Sequence, residues 1–93
     1  MVRAIIQYES EPDSDRYKQH VDEFASKVSC SAFRHGKVFA SPFGEPEYRY
    51  YAEFEWDDME AFKEGANSPE FAASGKDATA MGIPFTCHFA KVE

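Results

Sequence analysis

Cysteine is scarce: the 93 residues contain two, Cys30 and Cys87, in no C-x-x-C spacing. Free thiols in a reducing compartment explain such a pair more simply than a disulfide, so a cytoplasmic protein is expected. Positive charge is scarce as well. Ten Lys and Arg stand against 17 Asp and Glu, for a formal net charge of -7, and no stretch gathers more than two basic residues. The electrostatic footprint of a nucleic-acid binder is therefore missing, and no nucleic-acid partner is expected. Long apolar runs are absent too; none approaches the roughly 18 residues of a membrane span, and the chain opens directly as a strand, so no membrane partner is expected. The three histidines stand on different elements without H-x-H or H-x-x-x-H spacing. There is no nucleophile elbow and no phosphate-cradling glycine loop. Nothing in the sequence asks for a metal or a cofactor.

Aromatic residues are plentiful. Nine Phe, five Tyr and one Trp exceed what so small a core requires, and suit either a subunit interface or a pocket for a flat organic molecule. The length makes residues 1–93 a single domain. A chain of this size buries only roughly 60–65% of its unfolded surface, which makes a homodimer the expected form.

Hydrophobic periodicity gives the element order. "VRAIIQYE" (2–9) reads as a strand with burial on both faces, and Pro12 ahead of Asp13 or Ser14 as N-cap starts a helix over 14–28. "SAFRHGKVFAS" (31–41) alternates as a second strand, with Gly36 as a bulge or twist point. "SPFGEPE" is a turn cluster. In "EYRYYAEFEW" (47–56), Tyr48, Tyr50, Ala52, Phe54 and Trp56 share one face and Glu47, Arg49, Tyr51, Glu53 and Glu55 the other. Asp57 and Glu60 have capping-box spacing. Ser68 and Pro69 open a further helix that Gly82 stops. "IPFTCHFAKVE" closes the chain as a strand. The order β-α-β-β-α-β, with the second helix split, predicts an α+β ferredoxin-like sandwich: four antiparallel strands with helices on one face. Tyr51, Ile5, Val38 and Val92 would then point away from the helices. A second copy packed sheet to sheet would cover them.

Three pieces of sequence resemble the EthD-like members of the dimeric α/β-barrel superfamily. They are the pair Tyr17 and His20 in the first helix, the run "YRYYAEFEWDDMEAFKEG", and "SPEFAASGKDA" with Asp77. The resemblance spans nearly the whole chain. It implies a homodimer whose sheets form a barrel, with a cleft in each subunit between sheet and helices. The wider superfamily includes isomerases, cofactor-free monooxygenases and haem-degrading enzymes, so fold alone leaves the reaction open.

His20 is the leading candidate for chemistry. On a helical wheel Tyr17, Val21, Phe24, Ala25 and Val28 fall within an arc of about 100°, and His20 lies about 40° beyond Phe24, at the edge of that stripe. An imidazole there overlooks the sheet, and it titrates near neutrality. Tyr17, one turn earlier, orients His20 or a ligand. Tyr8, Phe24, Phe39, Tyr48 and Tyr50 are the candidate ligand-lining residues. His35 points to the cleft mouth or to solvent, and His88 lies at the dimer contact. Two function classes fit. One is a cofactor-free isomerase or monooxygenase acting on a small hydrophobic, oxygenated ring compound with His20 as acid/base; the other is a non-catalytic binding or accessory protein of an oxygenase-type degradation pathway.

Overall fold

The structure, a computed structural model, describes residues 1–93. Strands β1 (Val2–Tyr8), β2 (Ala32–Lys37), β3 (Tyr50–Trp56) and β4 (Phe85–Lys91) form one sheet in the order β2-β3-β1-β4, and every neighbouring pair is antiparallel. Helices α1 (Ser14–Glu23), α2 (Met59–Ala66) and α3 (Pro69–Ala80) pack on one face. This is the ferredoxin-like α+β sandwich.

Strand alternation decides which side chains meet the helices. Val2, Ala4 and Tyr8 of β1 and Ala52, Phe54 and Trp56 of β3 are buried on the helix side. On the free face, register sets Gly36, Tyr51, Gln7 and Thr86 in one row and Arg34, Glu53, Ile5 and His88 in the next. The carboxylates there serve ion pairs: Arg3 reaches Glu53 at 3.6 Å and Glu55 at 3.3 Å, and Arg34 reaches Glu55 at 3.4 Å. Gly36 is not a bulge. Its pairing with Tyr51 is regular, and the Tyr51 ring lies where a β-carbon would stand, 2.9 Å away.

The helices start at side-chain caps and stop earlier than periodicity suggests. Asp13 caps α1 by accepting from the Arg16 amide at 3.0 Å, and Ser68 caps α3, with Pro69 in its first turn. Asp58, not Asp57, caps α2, accepting from the Ala61 amide at 2.8 Å. Asp57 instead accepts from the Ser31 hydroxyl at 2.9 Å. The first helix does not continue to residue 28. It ends at Glu23, Phe24 turns the chain (φ -128°, ψ -62°), and a 3₁₀ turn covers Ala25–Lys27. The Ser26 hydroxyl occupies the Asp22 carbonyl at 3.0 Å, a side-chain bond that competes with helix propagation. The break lets Ala25 and Val28 sink into the core beside Phe54 and Trp56.

The strands are also shorter than alternation implied. β2 ends at Lys37 and β3 begins at Tyr50, although Val38 and Arg49 still exchange one backbone bond, 3.0 Å. Between them lies a loop closed by a bridge between Ser41 and Gly44, carrying Phe39 and Phe43 almost fully exposed. The core falls into two clusters: Ala4, Ala25, Val28, Phe54 and Trp56 at one end, and Tyr8, Tyr17 and Ala52 at the other.

Candidate functional site

A cavity of about 220 Å³ lies at the second end, between the sheet and helices α1 and α3. Its existence follows from residue size. Ala52 on the central strand and Ser74, Gly75 and Ala78 on α3 face one another, and none is large enough to fill the gap. Ile6, Phe33, Phe54, Phe71 and Phe85 complete an apolar wall, together with Tyr8 and Cys87. Cys87 is exposed as a residue, but partial burial on its cavity side raises the thiol pKa.

His20 enters this cavity from α1. It does not stand at a half-wet helix edge, for the residue is only 3% exposed. Its Nδ1 lies 2.8 Å from Asp77 Oδ2, and the Arg16 guanidinium donates to both oxygens of the same carboxylate, at 2.9 and 3.1 Å. Arg16 holds the Asp77 carboxyl below its ordinary range, partly opposed by burial and assisted by His20. An ionised carboxylate can only accept, so Nδ1 carries the hydrogen. The other ring nitrogen, Nε2, makes no hydrogen bond within the protein, and the residue lines the cavity. With Nδ1 held by Asp77, Nε2 is the ring nitrogen left free for another partner.

Tyr17 stands beside His20, ring centroids 5.2 Å apart, and also contacts Tyr8, His35 and Tyr50. Its hydroxyl is buried without a hydrogen-bond partner in the protein. Burial pushes its pKa far above the usual phenol range, and the neighbouring Tyr8 hydroxyl, close enough to interact though outside good hydrogen-bond geometry, adds to this. The far side of Tyr17 borders a second, more polar pocket of about 240 Å³ that includes His35, Lys37, Tyr50 and Glu11. There His35 Nδ1 meets the Tyr50 hydroxyl at 2.6 Å, and burial with the nearby His20 lowers the His35 pKa. His35 thus faces the helix side.

The structure brings Tyr8, Tyr17 and His20 together at the cavity, with Tyr50 one ring further out. Three other residues lie elsewhere. Phe24, at the helix break, stacks on the outer side of His20 with centroids 6.3 Å apart and borders a shallow recess with Lys76 and Asp77. Phe39 is 95% exposed on the β2–β3 loop because β2 stops before reaching it. Tyr48 precedes β3, so the alternation of that strand does not aim it at the cavity. Conversely, the couple of Arg16 with Asp77 is absent from any periodicity argument. The partners are 61 residues apart. The local signals were the i, i+4 spacing of Arg16 and His20, and the small residues around Asp77.

No protein-family model matches this sequence, and no curated protein matches it. Solved structures do match its fold. The chain is similar to an ethyl tert-butyl ether D (EthD) family protein from Bacillus halodurans C-125, at 24% identity and a TM-score of 0.77 over 100% of this chain and 99% of that one. It is similar to a dimeric ferredoxin-like protein of unknown function from Jannaschia sp. CCS1, at 19% identity and TM-score 0.72 over 98% of each chain. It is also similar to SnoaB, a cofactor-independent oxygenase from Streptomyces nogalater, at 14% identity and TM-score 0.63 over 99% of this chain and 92% of that one. No helix of the structure is long and apolar enough to cross a membrane.

Proposed function

We propose that the cavity binds a small hydrophobic, oxygenated ring compound and that His20 acts on it as acid/base without a cofactor, in an isomerisation or in assisting attack of oxygen on a substrate carbanion. The observation that supports this reading is the chain Arg16–Asp77–His20, which occupies Nδ1 and leaves Nε2 without a partner on a residue lining a mostly apolar chamber. A proton abstracted there from carbon or oxygen would be held away from water, where the counter-charge of Asp77 counts most. That SnoaB is a cofactor-independent oxygenase is compatible with such chemistry in this fold.

The same reading includes a homodimer formed sheet to sheet. Ile5 and Tyr51 stand half-buried on the free face amid paired charges, and such an isologous contact commonly buries on the order of 2,000 Å². The dimeric description of the Jannaschia protein supports it. Sedimentation at micromolar concentration should give a dimer; a monomer would remove this part of the proposal.

The test of the site is a panel of phenolic and lactone compounds scored by thermal shift and turnover for the parent, His20→Ala and His20→Gln. His20→Ala should lose binding. Glutamine keeps a hydrogen-bonding group but shuttles no proton, so an enzyme should retain affinity and lose turnover. Equal behaviour of the parent and His20→Gln toward a bound compound points instead to a non-catalytic binding protein.

A further inference from the structure

The lining of the chamber is unevenly exposed. Of its 13 residues only Cys87 on β4 and Gly75 on α3 are exposed; the others are buried or half-buried. β4 is an edge strand, and alternation puts Cys87 on its helix side with Phe85 and Phe89. Gly75 brings no side chain to the gap between α3 and β4, and a β-carbon there would meet nothing within 4 Å. That gap is closed at both ends. At one end Phe89 packs on Phe71, ring centroids 6.2 Å apart, and on Phe62 at 4.9 Å. At the other, residues 81–84 join the helix to the strand. Between the ends no side-chain hydrogen bond or ion pair ties α3 to β4, whereas three bonds to Asp77 tie α3 to α1. No Lys, Arg, Asp or Glu lines the chamber, so a charged group that entered would shed its water with no counter-charge in exchange. An apolar cavity of about 150 Å³ suffices for benzene, so about 220 Å³ holds one ring with small substituents.

We infer that a neutral one-ring compound enters the chamber sideways, between α3 and the edge strand β4 past Gly75 and Cys87, while the seam between α1 and α3 stays shut. The inference rests on the chamber being a ligand site, as proposed above, and not on proton transfer at His20. It adds the charge class of the ligand and the two residues that set the width of the mouth. The frame of this mouth is apolar and unbonded, so rotation of the half-buried Phe71 and Phe85 rings widens it without breaking a hydrogen bond. His20 keeps its bond to Asp77 throughout. The mouth lies on the helix side of the sheet, and the sheet-to-sheet contact of the proposed dimer uses the other face.

Toluene, which carries no titrating group, is the probe of entry, and benzoate, the same ring with a charge, is its counterpart. Both are followed by NMR at about pH 8, where an ordinary imidazole is neutral. Toluene should bind in the chamber, and benzoate about tenfold or more less tightly. Bound toluene should slow alkylation of Cys87 by iodoacetamide about threefold or more. Cys30, which lines no part of the chamber, should react within about twofold of its rate in the free protein. Toluene exchange should be faster in Cys87→Ala and about tenfold slower in Cys87→Phe, on and off rates moving together so that Kd stays within about threefold. Arg16→Gln removes both guanidinium bonds across the α1–α3 seam and should leave the exchange rate within about twofold. The alkylation and Cys87→Ala measurements decide the route even if Cys87→Phe fails to fold. Exchange indifferent to the Cys87 variants, or several-fold faster in Arg16→Gln, puts the entrance elsewhere and overturns the route. Benzoate bound as tightly as toluene overturns the ligand class. Either result leaves the His20 reading standing, whereas a parent protein that takes up no toluene overturns the chamber as a ligand site and this inference with it.

Discussion

The two ends of the layer between sheet and helices are built from the same residue types and come out opposite. At one end Phe54 and Trp56 stack with centroids 6.0 Å apart over Ala25 and Val28, and Trp56 donates its Nε1 hydrogen to the Ser29 carbonyl at 2.7 Å. At the other, Ala52 faces Gly75 and Ala78 across open space. A glycine stands in each, with opposite meanings. Gly65 on α2 is buried against the Trp56 indole, and a β-carbon there would sit 2.6 Å from the Ser29 carbonyl oxygen and collide with the indole nitrogen; one at Gly75 would meet nothing within 4 Å. One end carries the stability of the fold, and the other gives up packing to keep a chamber.

The sharpest way to break this comparison is Gly65→Ala. The methyl group must displace the Trp56 indole and its bond to Ser29, so chemical denaturation should show a loss of about 3 kcal/mol. Tolerance of alanine at 65 would mean that the solid end is not closely packed.

A second prediction separates the ends by pH. Asp77 has a folded pKa below its ordinary value of 3.8, so it adds stability above that value and loses it as pH falls through the folded pKa. The folded pKa of His35 is likewise below its ordinary 6.5. The unfolded chain therefore binds its proton first, and stability declines as pH drops beneath about 6.5. Both groups belong to the hollow end. Melting curves from pH 7 to pH 3 should show less of the upper decline in His35→Gln and less of the lower decline in Asp77→Asn, and parallel curves for parent and variants would contradict the assignment.

The smallest expected effect is Gly75→Ala. A glycine inside α3 costs helix stability, and the space beside it is free, so alanine should stabilise by about 0.5–1 kcal/mol. A loss of stability there would show that the helix face at 75 is not open.

Much of this was legible in the sequence because period-2 and period-3.6 patterns report which face of an element is buried. Such local rules give the inward set Tyr50, Ala52, Phe54 and Trp56, with Tyr48 added wrongly beyond the strand's start, the N-cap Ser68, and Asp13 as one of two candidate N-caps of the first helix. Position on a wheel also placed His20 beside Tyr17. What local rules could not give was where an element stops. Periodicity carries α1 and β2 past their real ends and so puts Phe24 and Phe39 in the cleft, and the Ser26 hydroxyl that competes with the helix has no periodic signature. Asp77 was visible only as a residue shared with a family pattern. Its union with Arg16 and His20 depends on how α1 and α3 dock, which is a property of the closed sandwich.

That union also ties two helices together. Arg16 grips Asp77 with two parallel bonds and His20 adds a third, so α1 and α3 are stapled together over the chamber. Any widening of the chamber by drawing these helices apart must break the bonds that orient the imidazole. On the reading proposed above, a ligand that entered between α1 and α3 would undo the alignment of the His20 ring in the same motion, so the ring would be aligned only while that seam is shut.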